Sequence, residues 1–563
     1  MSRILITSAT PYINGVKHLG NLAGSLLPAD IHARFQRQLG NEVLFISGTD
    51  EHGTAAELAA KAAGEAVAPF CAREHQRQRA IYSGFGLSFD HFGRSSAPSN
   101  HALTQHFYRR LDAAGLIEER TVPQIWSPAD RRFLADRYVL GTCPHCRSEE
   151  ARGDQCEACG ALLDPTELIA PRSALSGSRA LEVRKSRHLF LLQSCLRERL
   201  SCWLDSRRGW PPFVSGLARS WLTADLRDRC ITRDLAWGVP VPRPGFEGKV
   251  FYVWFDAPIA YIAITQDWAA VDPANRDWRR WWCEEDDVRY VQFLAKDNVP
   301  FHAVSFPATL LGAGEGWKTV DTIKGFHWLT YAGGKFSTSR QRGIFTDAAL
   351  EALPADLWRW WLTTNAPETA DSDFTIGRFA ADVNKDLADI FGNLVNRTLR
   401  FTEQAFEGRN PRAGCAEALE HALAAEVARL VDEIRRHHEQ LELRRAAAAT
   451  RALWVRANAY LHETAPWAAM PNRPERAAAV TRTALALVRL GAETAWSIVP
   501  SLAGAVLTAF GHRAELPAWP RDVEARLLGT QDAGRTLAPL GPLVRKIEAR
   551  QIEELEARFR GGG

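Results

Sequence analysis

Residues 3–21 read RILITSATPYINGVKHLGN, which is a short apolar run, a loop with Pro11 and Gly15, and the start of a helical stretch at His18. A second apolar run, 42–47, follows that stretch. Strand, glycine-bearing loop, helix and strand form a βαβ unit, in which ligands bind at the carboxyl ends of the strands. The amino-terminal part therefore predicts a nucleotide-binding α/β fold.

The rest of the chain divides into segments of different pattern. Strand-like runs return at 249–254, 288–294 and 303–306, so the α/β fold is interrupted by residues 121–232, which lack this rhythm. From about residue 378 apolar residues recur at helical steps, as in 417–438 and 445–464. We predict a split Rossmann-type catalytic domain with an insertion and a carboxyl-terminal α-helical bundle. The predicted domains are the first catalytic half 1–120, the insertion 121–232, the second half 233–325, a region around Lys335 at 326–385, and the helical domain 386–563.

Composition favours a globular protein of several domains. The 563 residues exceed what one core supports, and 46% hydrophobic with 24% charged residues is ordinary for a folded chain. No run of 18 apolar residues exists, and the first apolar run is too short for a signal peptide. Ten cysteines in a chain of this length do not form a disulfide framework. We expect a cytoplasmic protein without membrane contact.

Two segments carry the chemistry of phosphate binding. In the first, Gly20 lets a phosphate or adenine approach the backbone, while His18 and Asn21 can donate to phosphate oxygens beside a helix amino terminus. The second, residues 333–339, reads GGKFSTS, a loop in which Lys335 and three hydroxyls suit a pyrophosphate leaving group. Either segment alone fits an ordinary turn. Together, they predict a site that binds phosphate groups.

The two segments resemble the signatures of class I aminoacyl-tRNA synthetases, and the methionyl-tRNA synthetase family is similar over nearly the whole length. Residues 253–261, VWFDAPIAY, and 295–302, AKDNVPFH, resemble that family's amino-acid pocket and ribose segments. The resemblance implies that L-methionine is activated with Mg-bound ATP and transferred to tRNA(Met). It implies catalytic roles for His18, Asn21, Lys335, Ser337 and Ser339, and ATP contacts from His18, Gly20, Asn21, Asp297, Lys335 and Thr338. Residues 393–397 and 465–467 resemble the anticodon-reading positions, which implies that Asn393, Arg397 and Trp467 read the tRNA anticodon.

The implied amino-acid site suits methionine on physical grounds. Aromatic faces make favourable contacts with a thioether sulfur, and a substrate ammonium needs an anion, for which Asp50 is placed after the second strand. Arg233 is expected to pair either with Asp50 or with the substrate carboxylate, and otherwise to form a surface ion pair of little value. The amino-acid site implied by the resemblance is Tyr12, Asp50, Trp254, Ala257, Pro258, Tyr261, His302 and Arg233.

The insertion carries two Cys-x-x-Cys pairs. Four thiolates at this spacing predict a closed, tetrahedral zinc site that is structural, since no ligand position remains for water. The predicted ligands are Cys143, Cys146, Cys156 and Cys159. The other cysteines, such as Cys195, Cys202 and Cys230, show no ligand spacing and are expected to be small buried residues.

The sequence departs from the family pattern at three places. Thr338 stands where class I enzymes commonly carry a second lysine, for which Arg340 or Arg342 could compensate. Thr10 replaces a common leucine at the pocket mouth, and Asn21 replaces a histidine but keeps a hydrogen-bond donor. The chain also ends without the dimerising module of some relatives, so we expect a monomer.

Two alternatives stay open at the level of sequence. A class I synthetase for another apolar amino acid would usually need an editing insertion, because one methylene discriminates by only about 1–3 kcal/mol. The zinc segment accounts for most of residues 121–232 and leaves no room for such a domain. A non-catalytic RNA-binding relative is supported only by Thr338, and His18, Asp50 and Lys335 argue against it.

Overall fold

The computed structural model describes residues 2–154, 156, 158–159, 161, 163–223, 226–283, 287–336, 342–512 and 516–559. A five-stranded parallel sheet forms its centre, in the order β5-β4-β1-β2-β3. The strands are β1 (Arg3–Ser8), β2 (Glu42–Thr49), β3 (His91–Arg94), β4 (Val288–Ala295) and β5 (Thr322–Phe326). Nearly 200 residues separate β3 from β4, which confirms the predicted split of a Rossmann-type sheet.

Two of the expected strands are wrong. In 249–254 only Val250–Phe251 is extended, and the helix Val253–Val271 begins directly after it. Residues 303–306 lie in the π-helical turn Phe301–Ser305, which continues into the helix Phe306–Ala313. The residues of both segments are buried or half-buried. A short apolar run in a core has no periodicity that separates a strand from a helix.

Helices cover the sheet and carry the first signature. The chain leaves β1, forms the cleft loop, and enters a helical stretch at Leu19–Asn21 that continues through the π-helical Leu22–Leu26 into Leu27–Gln38. The other helices of this half are Thr54–Ala62, Val67–Gly84, Pro98–Ala113, Arg279–Trp282, Thr346–Ala352 and Ala355–Thr364.

The insertion is built from two small antiparallel sheets. The larger has the strand order Arg229–Cys230, Glu182–Leu191, Ile117–Ser127 and Arg132–Phe133, and the smaller has Ala151–Arg152, Val139–Thr142 and Ile169–Ser173. Helices Arg197–Ser206 and Pro212–Thr223 follow. Cys195 and Cys202 are exposed, so the expectation that they are buried is wrong, and Cys230 is half-buried.

A short sheet and a helical bundle complete the chain. The sheet pairs Leu329–Tyr331 with Gly334–Lys335 and with Ser372–Phe374. The bundle helices are Ile376–Val383, the π-helical Asn384–Gly392, Asn393–Phe406, Ala418–Glu439, Leu443–Thr464, Pro466–Ala469, Pro474–Ala495, Pro500–Ala509, Val523–Leu528 and Ala549–Phe559. Among the described residues, no helix is long and apolar enough to cross a membrane.

One buried guanidinium joins the catalytic half to the bundle. Arg359 is fully buried and forms an ion pair with Asp30 at 2.7 Å. It also donates to the carbonyl of Phe85 at 3.1 Å, and to those of Ser497 and Ile498 at 2.9 and 2.7 Å. A buried charge is tolerated only when it is paired and hydrogen-bonded, and these four acceptors come from both parts of the chain.

Candidate active site

A large cleft opens where the central strands end. Its volume is about 2180 Å³, and its walls come from both halves of the sheet domain, from the insertion and from the hairpin that carries Lys335. Thr10 and Tyr12 follow β1, and Asp50 follows β2. In an open parallel sheet this is the edge at which ligands bind. The expected site residues Tyr12, His18, Gly20, Asn21, Asp50, Arg233, Trp254, Ala257, Pro258, Asp297, His302 and Lys335 all line it.

Asp50 offers an unpartnered carboxylate oxygen in this cleft. Its backbone is fixed to the loop after β1, because Asp50 N donates to the carbonyl of Pro11 and Ile13 N donates to that of Asp50, each at 2.9 Å. The carboxylate is buried, and its Oδ1 has no hydrogen-bond partner among the described residues. Burial, and then the neighbouring charges of Asp256 and Glu51, raise the pKa of Asp50 well above its usual value. Such a group gains strongly from a cationic ligand.

The first signature forms a closely packed corner of the cleft. The His18 ring stacks on Phe336 at 4.7 Å between centroids, and a Cβ on Gly20 would lie 3.0 Å from His18 Nδ1. A side chain at position 20 would therefore crowd this ring position. His18 Nδ1 and Asn21 Oδ1 are buried without a hydrogen-bond partner in the described part of the chain. Burial lowers the pKa of His18 to about 3, so the ring is a neutral donor at physiological pH.

Aromatic rings form the wall beside Asp50. Trp254 stacks face to face on Phe301 with centroids 3.6 Å apart, and Tyr12 meets Trp254 edge to face at 6.2 Å. The buried Ala257 and Pro258 lie one helical turn further along the same helix. These groups present an apolar, polarisable surface next to an anion, which suits an amino acid with a soft side chain.

Tyr261 lies behind this wall. It is fully buried, does not line the cleft, and its hydroxyl lies 3.1 Å from His302 Nε2. His302 Nδ1 lies 3.0 Å from the carbonyl of Asn298. Since a carbonyl only accepts, Nδ1 carries the proton and Nε2 accepts from the Tyr261 hydroxyl. Burial lowers the pKa of His302 to about 4, which agrees with this neutral form.

Arg233 is paired differently from the expectation. Its Nε lies 3.1 and 3.0 Å from the two carboxylate oxygens of Asp136, and its guanidinium lies 3.7 Å from the ring centroid of Tyr252. The expected pair with Asp50 is not the one that the structure forms. Asp136 belongs to the insertion, so Arg233 ties the insertion to the second half of the sheet domain.

The second signature is described only in part. Lys335 is exposed, and its Nζ lies 3.4 Å from the carbonyl of Ala158 in the insertion. Asp297, after β4, also lines the cleft, and burial raises the pKa of its carboxyl. Arg342 donates to the carbonyls of Tyr331 and Ala332, so this side chain holds the hairpin. The predicted Ser337, Thr338 and Ser339, with Arg340, lie outside the described residues.

The four cysteines of the insertion converge. Their sulfur atoms all lie within 4.8 Å of one another, with Cys143 and Cys159 separated by 3.9 Å and Cys146 and Cys156 by 3.6 Å. A tetrahedral zinc with bonds of about 2.3 Å places its sulfur ligands about 3.8 Å apart. The donor set and its spacing therefore fit one zinc ion.

The predicted anticodon residues share one surface of the bundle. Asn393 is exposed and lies one turn before Arg397 on the helix Asn393–Phe406. The Arg397 guanidinium lies 4.9 Å from the Trp467 ring, which also meets Phe401 edge to face at 6.2 Å. Trp467 is 41% exposed and is not a core residue.

Sequence reasoning missed three residues of the cleft. Phe301 lies inside a recognised segment, but an apolar residue there is also typical of a core. Lys17 is buried beside His18, its Nζ donates to Asn14 Oδ1 at 2.6 Å, and burial lowers its pKa to about 7. Its position next to the signature was the one available signal. Trp328 lines the cleft beside Lys335. Nothing in the sequence distinguishes it from the other tryptophans, of which the chain has 19 in all.

Comparison with known proteins gives a consistent result. Residues 4–399 match the family described as tRNA synthetases class I (M), and residues 410–563 match the anticodon binding domain of methionyl tRNA ligase. The chain is 55% identical over 570 residues to methionine–tRNA ligase of Caulobacter vibrioides, and 53% identical over 571 residues to that of Streptomyces avermitilis; both matches cover 100% of each chain. Among solved structures, Mycobacterium tuberculosis methionyl-tRNA synthetase in complex with methionyl-adenylate matches with a TM-score of 0.77 and 25% identity, over 96% of this chain and 99% of that one.

Proposed function

Because this chain belongs to the methionine class of the class I tRNA synthetases, we propose that the cleft described above activates L-methionine with ATP for transfer to tRNA(Met). Its function is that of a methionine–tRNA ligase. Neither a synthetase for another amino acid nor a non-catalytic relative agrees with this assignment. The observation that supports the cleft as the site is the Asp50 carboxylate beside an aromatic wall, whose Oδ1 has no hydrogen-bond partner among the described residues, within one cavity with His18 and Lys335.

In the proposed first step the methionine carboxylate attacks the α-phosphate of ATP and pyrophosphate leaves. Asp50 receives the α-ammonium, and the rings of Tyr12 and Trp254 contact the thioether. Arg233 lines the same cleft and donates to the substrate carboxylate while its Nε stays paired with Asp136. Most of the rate gain comes from positioning and from stabilising charge, since no covalent enzyme intermediate is needed.

The ATP roles are assigned by position in the cleft. His18 and Asn21 donate to phosphate oxygens, Gly20 leaves room for the nucleotide, and Asp297 accepts from the ribose hydroxyls. Lys335 balances charge on the departing pyrophosphate, and we assign Ser337, Thr338 and Ser339 to the same group. Mg²⁺ enters with ATP and neutralises part of the triphosphate charge.

In the second step a hydroxyl of the terminal tRNA adenosine attacks the adenylate carbonyl and AMP leaves. We propose that Asn393, Arg397 and Trp467 bind the anticodon, because exposed aromatic and polar side chains read single-stranded loops by stacking and hydrogen bonding. We also propose a monomer that works in the cytoplasm, where charged tRNA is used.

We propose a single structural zinc in the insertion, held by Cys143, Cys146, Cys156 and Cys159. The ion would fix the loop around the cysteines, whose own apolar core is small. It supplies no ligand position for substrate.

Pyrophosphate exchange into ATP tests the proposed chemistry without tRNA. Exchange should require methionine and respond weakly to leucine and isoleucine. Both lack a thioether, and their side chains are branched, at Cγ in leucine and at Cβ in isoleucine. Equal stimulation by leucine would contradict the assignment of the aromatic wall. Exchange that no amino acid stimulates would contradict the assignment of the cleft.

A further inference from the structure

Trp328 brings together two lysines of the cleft. Its ring centroid lies 4.2 Å from Lys335 Nζ and 4.0 Å from Lys296 Nζ. Trp328 is half-buried, lines the cleft, and directly precedes the strand Leu329–Tyr331 of the Lys335 hairpin. One ring thus contacts both Lys296 and the lysine to which we assign the departing pyrophosphate.

The position of this tryptophan is fixed from outside the cleft. Asp371 Oδ1 accepts from the Trp328 backbone N–H at 2.9 Å and from Lys296 Nζ at 2.9 Å. Trp328 and Lys296 are therefore held by the same carboxylate. Among the residues that the structure describes, Lys335 Nζ, in contrast, contacts only the ring and the carbonyl of Ala158. Both are weak contacts for an ammonium, which phosphate oxygens can replace with stronger, charge-assisted hydrogen bonds.

We propose that Trp328 is a positioning residue for the ATP site: its ring holds Lys335 beside the cleft until the triphosphate enters. This inference rests on the proposed role of Lys335 toward the pyrophosphate. The ring acts through Lys335 on the rate of adenylate formation, so a variant that keeps an aromatic face should keep that rate.

Trp328→Phe and Trp328→Leu test the ring in pyrophosphate exchange with the full-length protein. Trp328→Phe keeps an aromatic face, so kcat should stay within about twofold of the wild type. Trp328→Leu loses that face, so kcat should fall roughly 2- to 30-fold, the range of a cation–aromatic contact. The KM values for ATP and for methionine should not change in either variant.

Two controls make the result specific. Trp126→Leu removes another half-buried indole that carries a cation, Arg184 at 4.5 Å, outside the cleft, and should leave all three parameters unchanged. In a Lys335→Ala background, Trp328→Leu should lower kcat no further, because the group that it positions is gone.

Equal loss of kcat in the Phe and Leu variants would overturn the proposal. So would an undiminished effect of Trp328→Leu in the Lys335→Ala background, or a rise in the KM for methionine together with a fall in melting temperature. Wild-type exchange that methionine does not stimulate would instead refute the proposed function. Failure of the proposed function and failure of the Trp328 proposal are therefore distinguishable.

Discussion

Replacing Trp467 with alanine should separate tRNA charging from methionine activation. The side chain is 41% exposed, and its ring contacts are the Arg397 guanidinium at 4.9 Å and the edge of Phe401 at 6.2 Å, so it contributes little to the core. Stacking one base on an aromatic ring is worth about 1–3 kcal/mol, which corresponds to a loss of roughly 5- to 150-fold in kcat/KM for tRNA. Trp467→Phe keeps a stacking surface and should retain most of the activity.

The assay compares aminoacylation of tRNA(Met) with tRNA-independent pyrophosphate exchange in the same preparations. Exchange and melting temperature should stay near the wild-type values, because the cleft lies in the other half of the chain. Val271→Ala removes an apolar side chain that is 69% exposed at the end of the helix Val253–Val271, and it serves as a control that should change neither activity. The reasoning fails if Trp467→Ala lowers both activities together with the melting temperature.

Three further variants test the cleft and the insertion. Asp50→Asn should raise the KM for methionine roughly 10- to 150-fold, the value of a charged hydrogen bond, while the melting temperature at neutral pH stays equal or rises. The sign follows from the raised pKa of Asp50, because above the unfolded-state pKa the folded state binds more protons than the unfolded state and its stability falls as pH rises. Asparagine does not ionise, so the variant avoids this loss of stability. A variant that is less stable than the wild type would contradict the argument. Elemental analysis should find one zinc per chain, and Cys143→Ala should reduce the zinc content and the melting temperature. Absence of zinc from protein that was prepared without a chelator would rule the site out. Lys335→Ala should lower the exchange rate on the order of 100-fold with an unchanged Kd for methionine, and an unchanged rate would remove this lysine from the mechanism.

The sequence was most informative where local chemistry determines structure. The apolar runs of β1 and β2 on either side of a glycine-bearing loop predicted the parallel sheet, and the spacing of Cys143, Cys146, Cys156 and Cys159 predicted the convergence of their thiols. The run 303–306 failed as a strand because a fully buried helix has the same apolar composition. Periodicity carries no information when every face is buried.

Partners from distant segments could not be predicted. The acid that pairs with Arg233 is Asp136, 97 residues away in the insertion, and only the folded chain brings the two together. The role inferred for Trp328 likewise depends on Lys335 and Lys296 meeting at one ring. Such contacts are tertiary and leave no trace in spacing.

The hydrogen bonds of Arg359 determine where this chain can be divided. The two matched segments, 4–399 and 410–563, look like modules that could be exchanged between relatives or expressed alone. Yet a fragment ending near residue 399 would keep Asp30 and the Phe85 carbonyl and lose the carbonyls of Ser497 and Ile498. In this fragment the Arg359 guanidinium would lack two of its four acceptors and would lie on an apolar surface that is buried in the full chain. We therefore expect the fragment to aggregate and not to form a stable catalytic domain. A chimaera that retains function must therefore keep a turn at 497–498 that presents its two backbone carbonyls to Arg359.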